Sequence, residues 1–577
     1  MSILLSEVTV MLSVVASWAI LLLYSYITGM VVLNTLYKRE PGIDECIWTG
    51  TVAITVYAQV FSLFYRVGLM AFTVLSFLMC LLLIYSARNN KNIYKSHIEQ
   101  VKKLSQLQWF IILIILIAMI SWTNTTPELF DTYLYHDQSI QWLERYGVVR
   151  GLGNLHCRFA YNSSFLPLQA LFSFRGIIGQ SLHTVNGFLA AFMLIYCFST
   201  HALMIHKSVG LSDHLRLALI GYICYAIPYI SSPGTDIPAL ILFLYICIKW
   251  NDKEDAFPDR YAWLCMLAIF DVTLKLSAVT CVTIIVYPMI IYIKEKRASD
   301  IIKHIITGFL ILAPWLVRNV IISGYLVYPY AKIDFFNFDW KMPASVAISD
   351  SREIQGFARG YTDITRDHIH ISEWFPAKWF AAYTGWFDRC CMVFGIIAFI
   401  FLTVFILREL SKKAFKPILY TFYAMILISF IIWFTNAPSI RFGVVFCFAL
   451  FAIWTDILSK SKTKTAICGS RIIMSVSYIY VALMLVHVTG NWTTLPGQPP
   501  FLQKDYSDHE TSEIQYDGFT VWYPNNESGL CGCRVFPSVP YPKIVEHLEM
   551  RGNDIKSGFR ISDEYRNKAF DMSGNIL

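Results

Sequence analysis

The chain has 577 residues, of which 56% are hydrophobic, 16% aromatic and 15% charged, with a formal net charge of +7. A soluble domain carries about a quarter charged residues, so this composition excludes an ordinary water-soluble globule and points to a polytopic membrane protein. The basic excess does not indicate nucleic acid, because no basic cluster is interleaved with aromatics. The fourteen cysteines are scattered without a CxxC pair, which leaves no zinc or redox motif.

The apolar residues come in blocks of about 15–25, the length that crosses a bilayer. In chain order the blocks predict about fourteen crossings. Three come first, at 8–36, 47–64 and 69–86, and residues 1–107 read as an N-terminal anchor. The first block is too long for a signal h-region and lacks a basic leader, so it is expected to be retained. Residues 88–103 are basic, which places them inside by the positive-inside rule. A fourth crossing, 109–123, then delivers a polar stretch to the outer side. Further crossings are expected at 184–205, 216–231, 237–250, 261–275, 276–293, 302–322, 390–407, 415–434, 442–458 and 470–488. On this count the loops at 206–216, 249–260, 294–303, 408–416 and 459–466 lie inside, and all hold Lys or Arg. Residues 108–490 form the expected membrane core, with long outer loops at 124–182 and 323–388. The tail, 491–577, is rich in Pro, Gly and Tyr and carries a strand-like alternation at 516–524, so a small outer α/β domain is expected there.

The first outer loop concentrates the chemistry. Asp131 follows the outer end of a helix, where a carboxylate is placed to take a proton from a hydroxyl. On a helical segment Tyr135, Gln138 and Trp142 share its face and suit a sugar ring. Asp is equally favoured as a helix cap, so both readings stand. His136 and Asp137 point elsewhere on such a helix. A second acid, Asp236, stands in the next outer loop after a ProGly turn. The two acids could also hold a divalent ion, although no spacing identifies a metal cage, and no cofactor is implied.

Four cations stand on the side where Lys and Arg are disfavoured: Arg158, Lys275, Arg318 and Arg441. Lys275 lies deep in an apolar run, where an ion is costly; Asp271, four residues earlier, is its alternative partner. Together the four could bind a phosphate or pyrophosphate, or each could reach up to lipid headgroups. The segment 156–164 adds His156, Arg158 and Asn162 in a loop that dips back towards the lipid, with Asn162 placed to hydrogen-bond sugar hydroxyls.

These motifs resemble those of the GT-C glycosyltransferases. The run from Asp131 through Tyr135 and His136 to Trp142 is similar to the first outer loop of bacterial members. Asp236 matches a second acid, ThrLeuLysLeuSer at 273–277 a Lys-bearing segment, and ProTrpLeuValArgAsn at 314–319 with GlyTyrLeuValTyrPro at 324–329 the most specific match. The resemblance covers about residues 109–490, and with the tail included the chain resembles a group of bacterial GT-C-like proteins. Asp137 departs from the pattern, where an apolar residue is usual, and the first three helices have no counterpart in the shorter members. The resemblance implies an all-α bundle and a transferase, metal-independent or metal-assisted. It would move a sugar from a polyprenyl-phosphate donor to a glycan, lipid or protein acceptor outside the cytoplasmic membrane. The alternatives are a polysaccharide polymerase or ligase, and a lipid or glycan transporter. A transporter is expected to show paired broken helices in two related halves, which the sequence does not.

Overall fold

The computed structural model describes residues 12–37, 40–201, 209–252, 259–362, 369–412, 416–460, 502–507, 509–516, 519–525 and 529–577. The expected crossing at 470–488 lies outside the described residues, as do parts of four of the expected inner loops and the start of the tail.

The chain is mostly helical. It opens with α1 (Leu12–Tyr37), α2 (Ile43–Phe64), α3 (Leu69–Asn89), the short polar α4 (Lys91–Lys102) and α5 (Gln106–Thr123). Ser105 starts α5 with a capping box: its Oγ accepts from the Gln108 amide at 3.2 Å, and Gln108 Oε1 accepts from the Ser105 amide at 2.9 Å. Helices α1 and α2 cross closely because Gly29 faces the Cys46 carbonyl and Gly50 faces that of Ser25, where any side chain would clash. Small residues at the contact are the usual basis of close helix packing in a membrane.

The polar stretch after α5 folds into short pieces: a π turn (Thr132–His136), α6 (Asp137–Arg145), a single turn (Leu152–Leu155), a 3-10 turn (Cys157–Ala160) and α7 (Phe165–Leu171). The bundle resumes with α8 (Val185–Thr200), α9 (Leu211–Ala226), α10 (Asp236–Asn251) and α11 (Asp259–Leu274). After a break at Lys275 a 3-10 run (Leu276–Ile285) leads into α12 (Val286–Lys294), then α13 (Ala298–Ser323). A second long loop carries α14 (Ala344–Arg359), and α15 (Trp386–Ser411), α16 (Pro417–Asn436) and α17 (Ile440–Ser459) follow.

Among the described residues nine helical segments are long and apolar enough to cross a membrane, with Leu276–Lys294 counted as one. The expected crossings at 184–205, 216–231, 237–250 and 261–275 carry α8 to α11, each of 16 residues. At about 1.5 Å per residue these reach about 24 Å, less than a ~30 Å hydrocarbon core. Burial separates the two groups. Every residue of α10 from Asp236 to Trp250 is buried, whereas α3, α5 and α15 expose apolar side chains such as Phe77, Phe110 and Leu407. Apolar faces of that length are costly in water and suit lipid.

The tail departs from the α/β expectation. Its described residues contain no α-helix. They form two antiparallel pairs, β1 (Thr511–Tyr516) with β2 (Phe519–Pro524) and β3 (Leu548–Met550) with β4 (Phe559–Ile561), joined by 3-10 turns. Strands this short cannot build their own core, so the tail borrows one. Phe519, Val521, Val545, Leu548 and Phe559 share a hydrophobic cluster with Trp142, Val149 and Leu155 of the first long loop. Gly151 permits the closest approach: it sits at φ +61, and a Cβ there would strike the Phe559 carbonyl, while the Phe559 amide donates to Arg150 O at 3.0 Å.

Candidate functional site: an ion-pair network joining distant segments

Loop-to-loop hydrogen bonds bring the two acids together. After α5, Pro127 cannot continue the helix, and the chain turns across the SerSerProGly segment at 231–234. Ser232 Oγ accepts from the amides of Glu128 and Leu129, both at 3.1 Å, and Ser231 Oγ donates to Thr126 O at 3.2 Å. From beneath, Asn186 of α8 donates to the carbonyls of Ser232 and Gly234 at 2.8 and 2.9 Å. Asp131 then enters the π turn and Asp236 heads α10.

Asp131 does not cap a helix, for its side chain makes no capping hydrogen bond. Its carboxylate instead takes a hydrogen bond from Arg441 Nη2. The same guanidinium donates through Nε to Asp236 Oδ2 at 2.9 Å, and Lys275 Nζ donates to Asp236 Oδ1. Four residues from four parts of the chain thus form one network of two carboxylates and two cations, neutral as a unit. Phe442 lies below the cations, its ring 4.4 Å from Lys275 Nζ and 5.5 Å from the Arg441 guanidinium carbon.

Each cation sits where the local backbone disfavours or exposes it. Arg441 is in the first turn of α17, whose dipole opposes a positive charge, and the two carboxylates offset that cost. Lys275 occupies the extended residue between α11 and the 3-10 run. The freed backbone at this break is satisfied by the 156–164 loop: the Ser164 amide donates to Thr273 O at 2.9 Å and Ser163 Oγ to Leu274 O at 2.7 Å. Asp271 is not the partner of Lys275; its carboxylate lies by Cys281 Sγ at 3.9 Å. The acids are the more buried members, with side chains 19% and 11% exposed for Asp131 and Asp236 against 25% and 33% for Lys275 and Arg441. An approaching ligand therefore meets positive charge first.

Burial alone would raise the Asp131 carboxyl, but the neighbouring Arg441 guanidinium outweighs it and holds the group below the usual carboxylate range. His136 lies within electrostatic reach of all four network members and is buried; burial pushes its imidazole down to about 4. Among the described residues neither of its ring nitrogens has a hydrogen-bond partner. Tyr135 is half-buried and within reach of Asp131, Asp236 and Arg441. Its ring also stands 6.0 Å from that of Tyr161.

The other expected site residues lie apart from the network. Arg158 pairs with Asp350 at 3.2 Å and Glu353 at 3.4 Å, and Tyr161 Oη donates to Asp350. Arg318, 2% exposed, donates to Asn162 Oδ1 at 2.8 Å and to Ser62 Oγ. Asn162 donates in turn to Trp315 O at 2.8 Å, so its amide is spent on α13. His156 is buried against Phe159 and Tyr541. Trp142 is buried against Phe536 and Phe559 of the tail, with ring centroids 4.8 and 5.9 Å away. The expected shared face of Asp131 with Gln138 and Trp142 fails because the π turn adds a residue to the helical repeat and rotates everything after it towards the tail. Gln138 then donates to the carbonyls of Gly532 and Val535 at 3.0 and 2.9 Å. Phe442, Asp350 and Ser232 had not been singled out in the sequence; of these, only Phe442, next to a misplaced Arg, carried a legible sign.

Among the described residues no three His, Cys, Asp or Glu side chains are grouped to hold a metal ion. A far larger cleft, of about 2550 Å³, opens at the other end of the bundle between Asp44, Lys249, Arg216 and Asp252 and includes none of the network residues. That cleft is lined by ion pairs of its own, Lys249 with Asp44 and Arg216 with Asp252.

No curated protein and no solved structure matches the chain. Residues 11–448 match one family, a span that includes all four network residues and ends before the tail. The chain therefore belongs to that family, described as a domain of unknown function, DUF8201.

Proposed function

We propose that the chain is an integral-membrane glycosyltransferase of the GT-C type. It would take a sugar from a polyprenyl-phosphate-linked donor and place it on a glycan, lipid or protein acceptor at the outer face of the cytoplasmic membrane. The observation that carries this reading is the bridge from Arg441 to both Asp131 and Asp236, with Lys275 on the second acid. At rest the carboxylates hold the cations. A donor phosphate arriving at the more exposed Lys275 and Arg441 competes for them, since guanidinium and ammonium groups bind phosphate strongly.

Asp131, relieved of Arg441, then becomes the better base. It takes the proton of the acceptor hydroxyl as that oxygen bonds the sugar's anomeric carbon, and the bond from that carbon to the phosphate oxygen breaks with its electron pair leaving on the phosphate. Neutral His136, with two unsatisfied ring nitrogens beside the network, can bond a sugar hydroxyl. The outward placement of this face rests on the basic loops at the opposite end.

Lipid-linked sugars co-purifying with the protein, identified by mass spectrometry, test the reading. We expect a polyprenyl-phosphate-linked sugar with the wild-type protein and at least tenfold less with Lys275→Ala/Arg441→Ala. Equal recovery from both proteins would remove the network from donor binding.

A further inference from the structure

A second, smaller cavity lies in the first outer loop, away from the Asp131 network. It measures about 20 Å³ and is bordered by Arg318, Ser139, Trp142, Tyr161 and Asn162 among others. Three facts about its wall belong together. Arg318 is 2% exposed, it donates to neutral acceptors, Asn162 and Ser62, and it forms no ion pair among the described residues. Among the described residues the indole N–H of Trp142, 1% exposed, has no partner, and the buried Ser139 hydroxyl has none either. A buried cation without a counter-charge costs several kcal/mol, and each buried donor left unpaired costs about 1–3 kcal/mol more. One occupant could relieve all three.

We propose that this cavity binds one monoatomic anion of chloride size, held by the Arg318 guanidinium with the Trp142 indole N–H and the Ser139 hydroxyl. A space of about 20 Å³ takes a single water-sized particle, which excludes sulfate, phosphate and any donor headgroup. Water would satisfy the two neutral donors but leave the guanidinium uncompensated. The site ties α13 to α6 and the 156–164 loop, so the bound ion holds the outer loop against the bundle. It is independent of the proposed transfer chemistry.

The test is the melting temperature of the full-length protein in detergent, with chloride titrated against gluconate at constant ionic strength. We expect a saturable rise of a few degrees with chloride, reproduced by bromide and absent with sulfate or phosphate. Arg318→Met removes the charge that needs compensation and should make the melting temperature indifferent to chloride. If that variant does not fold, Trp142→Phe keeps the ring and removes one donor, and the chloride midpoint should move roughly tenfold higher or more. A wild-type melting temperature that ignores chloride, equal stabilisation by sulfate, a chloride response kept in Arg318→Met, or an unmoved midpoint in Trp142→Phe would each overturn the assignment.

Discussion

Arg441 reaches Asp131 across 310 residues of sequence, and its Nη2 donates to the Asp131 carboxylate while its Nε holds Asp236. Removing this side chain strands two carboxylates. For a fully buried pair the cost is about 3–5 kcal/mol, but a third of the Arg441 side chain is exposed, so Arg441→Ala is expected to cost less, about 1–3 kcal/mol. Arg441→Lys keeps the charge but cannot span both acids, and should fall between. Denaturant titration of the three proteins in detergent orders them; Lys as stable as the wild type would mean that the two-pronged geometry is immaterial.

Much of this network was legible, and for a physical reason. Lys275 and Arg441 stand out as cations in places where they are costly, and Asp131 and Asp236 as carboxylates at helix ends. Arg318 looks the same in sequence yet is turned into the core of the first long loop, because the face on which a helical residue lands depends on packing that a list of charges does not carry. Trp142 was misplaced by one local event, the π turn at Thr132–His136, which leaves no mark in composition. The tail's first hairpin could have been anticipated from AspGly at 517–518 between two alternating runs; those two residues lie outside the described ones, but β1 and β2 flank them. The bundle's interior was the least legible, since α8 to α11 are apolar enough to read as crossings and too short to match one.

Sidedness is open to direct labelling. Asn337, in the second long loop, and Lys95, on α4, are exposed and lie on opposite sides in the proposed topology. In a background with the exposed Cys80 and Cys390 replaced, Asn337→Cys should react with a membrane-impermeant thiol reagent on intact cells. Lys95→Cys should react only after lysis. The reverse pattern inverts the topology and with it the placement of the Asp131 network.

The docking of the tail depends on two amides of α6. Gln138 serves Gly532 O, Val535 O and the Ser538 amide, and Gln141 donates to Cys533 O at 2.6 Å. Gln138→Ala leaves those buried backbone groups unpaired at about 1–3 kcal/mol each if water cannot reach them. Limited proteolysis should then release the tail faster than in the wild-type protein, while Gln180→Ala, which removes a bond to Gln503 O, should change it much less. Equal release rates for wild type and Gln138→Ala would show that the hydrophobic cluster alone holds the tail.

Glu144 gives a pH dependence with a defined sign. Burial drives its carboxyl up to about 7, past the opposing pull of the Ser181 hydroxyl and of Arg175 at 3.6 Å. A folded-state value above the unfolded one means that the folded state holds the proton longer. The stabilisation is full below about pH 4.5 and is lost as pH rises to about 7, roughly 3 kcal/mol in all. Neighbouring Asp137, pushed by burial to about 6, adds in the same direction, and buried His136 and His183 oppose both. The difference between wild type and Glu144→Gln isolates one group. Relative to the variant, the wild-type protein should lose stability between pH 5 and 8. A constant difference over that range would mean that Glu144 is ionised throughout.

The last expectation concerns the base. Asp131 could have been a helix cap, for which Asn is an equal substitute, but its carboxylate caps nothing and faces Arg441 instead. Asp131→Asn keeps the size and one oxygen to accept from Arg441, and removes the proton acceptor. Folding and membrane insertion should therefore survive. Donor binding should also survive, or improve, because Arg441 is held less tightly and is freer to meet a phosphate. Transfer should fall by about 10²–10⁴, the usual worth of a positioned base. The comparison requires membranes holding equal protein, with lipid-linked sugar recovery measured beside transfer. Loss of both readouts would make Asp131 a structural partner of Arg441. Near-normal transfer would shift the base to Asp236 or to neutral His136, whose ring lies beside the same network. Only retained donor with lost transfer assigns the proton to Asp131.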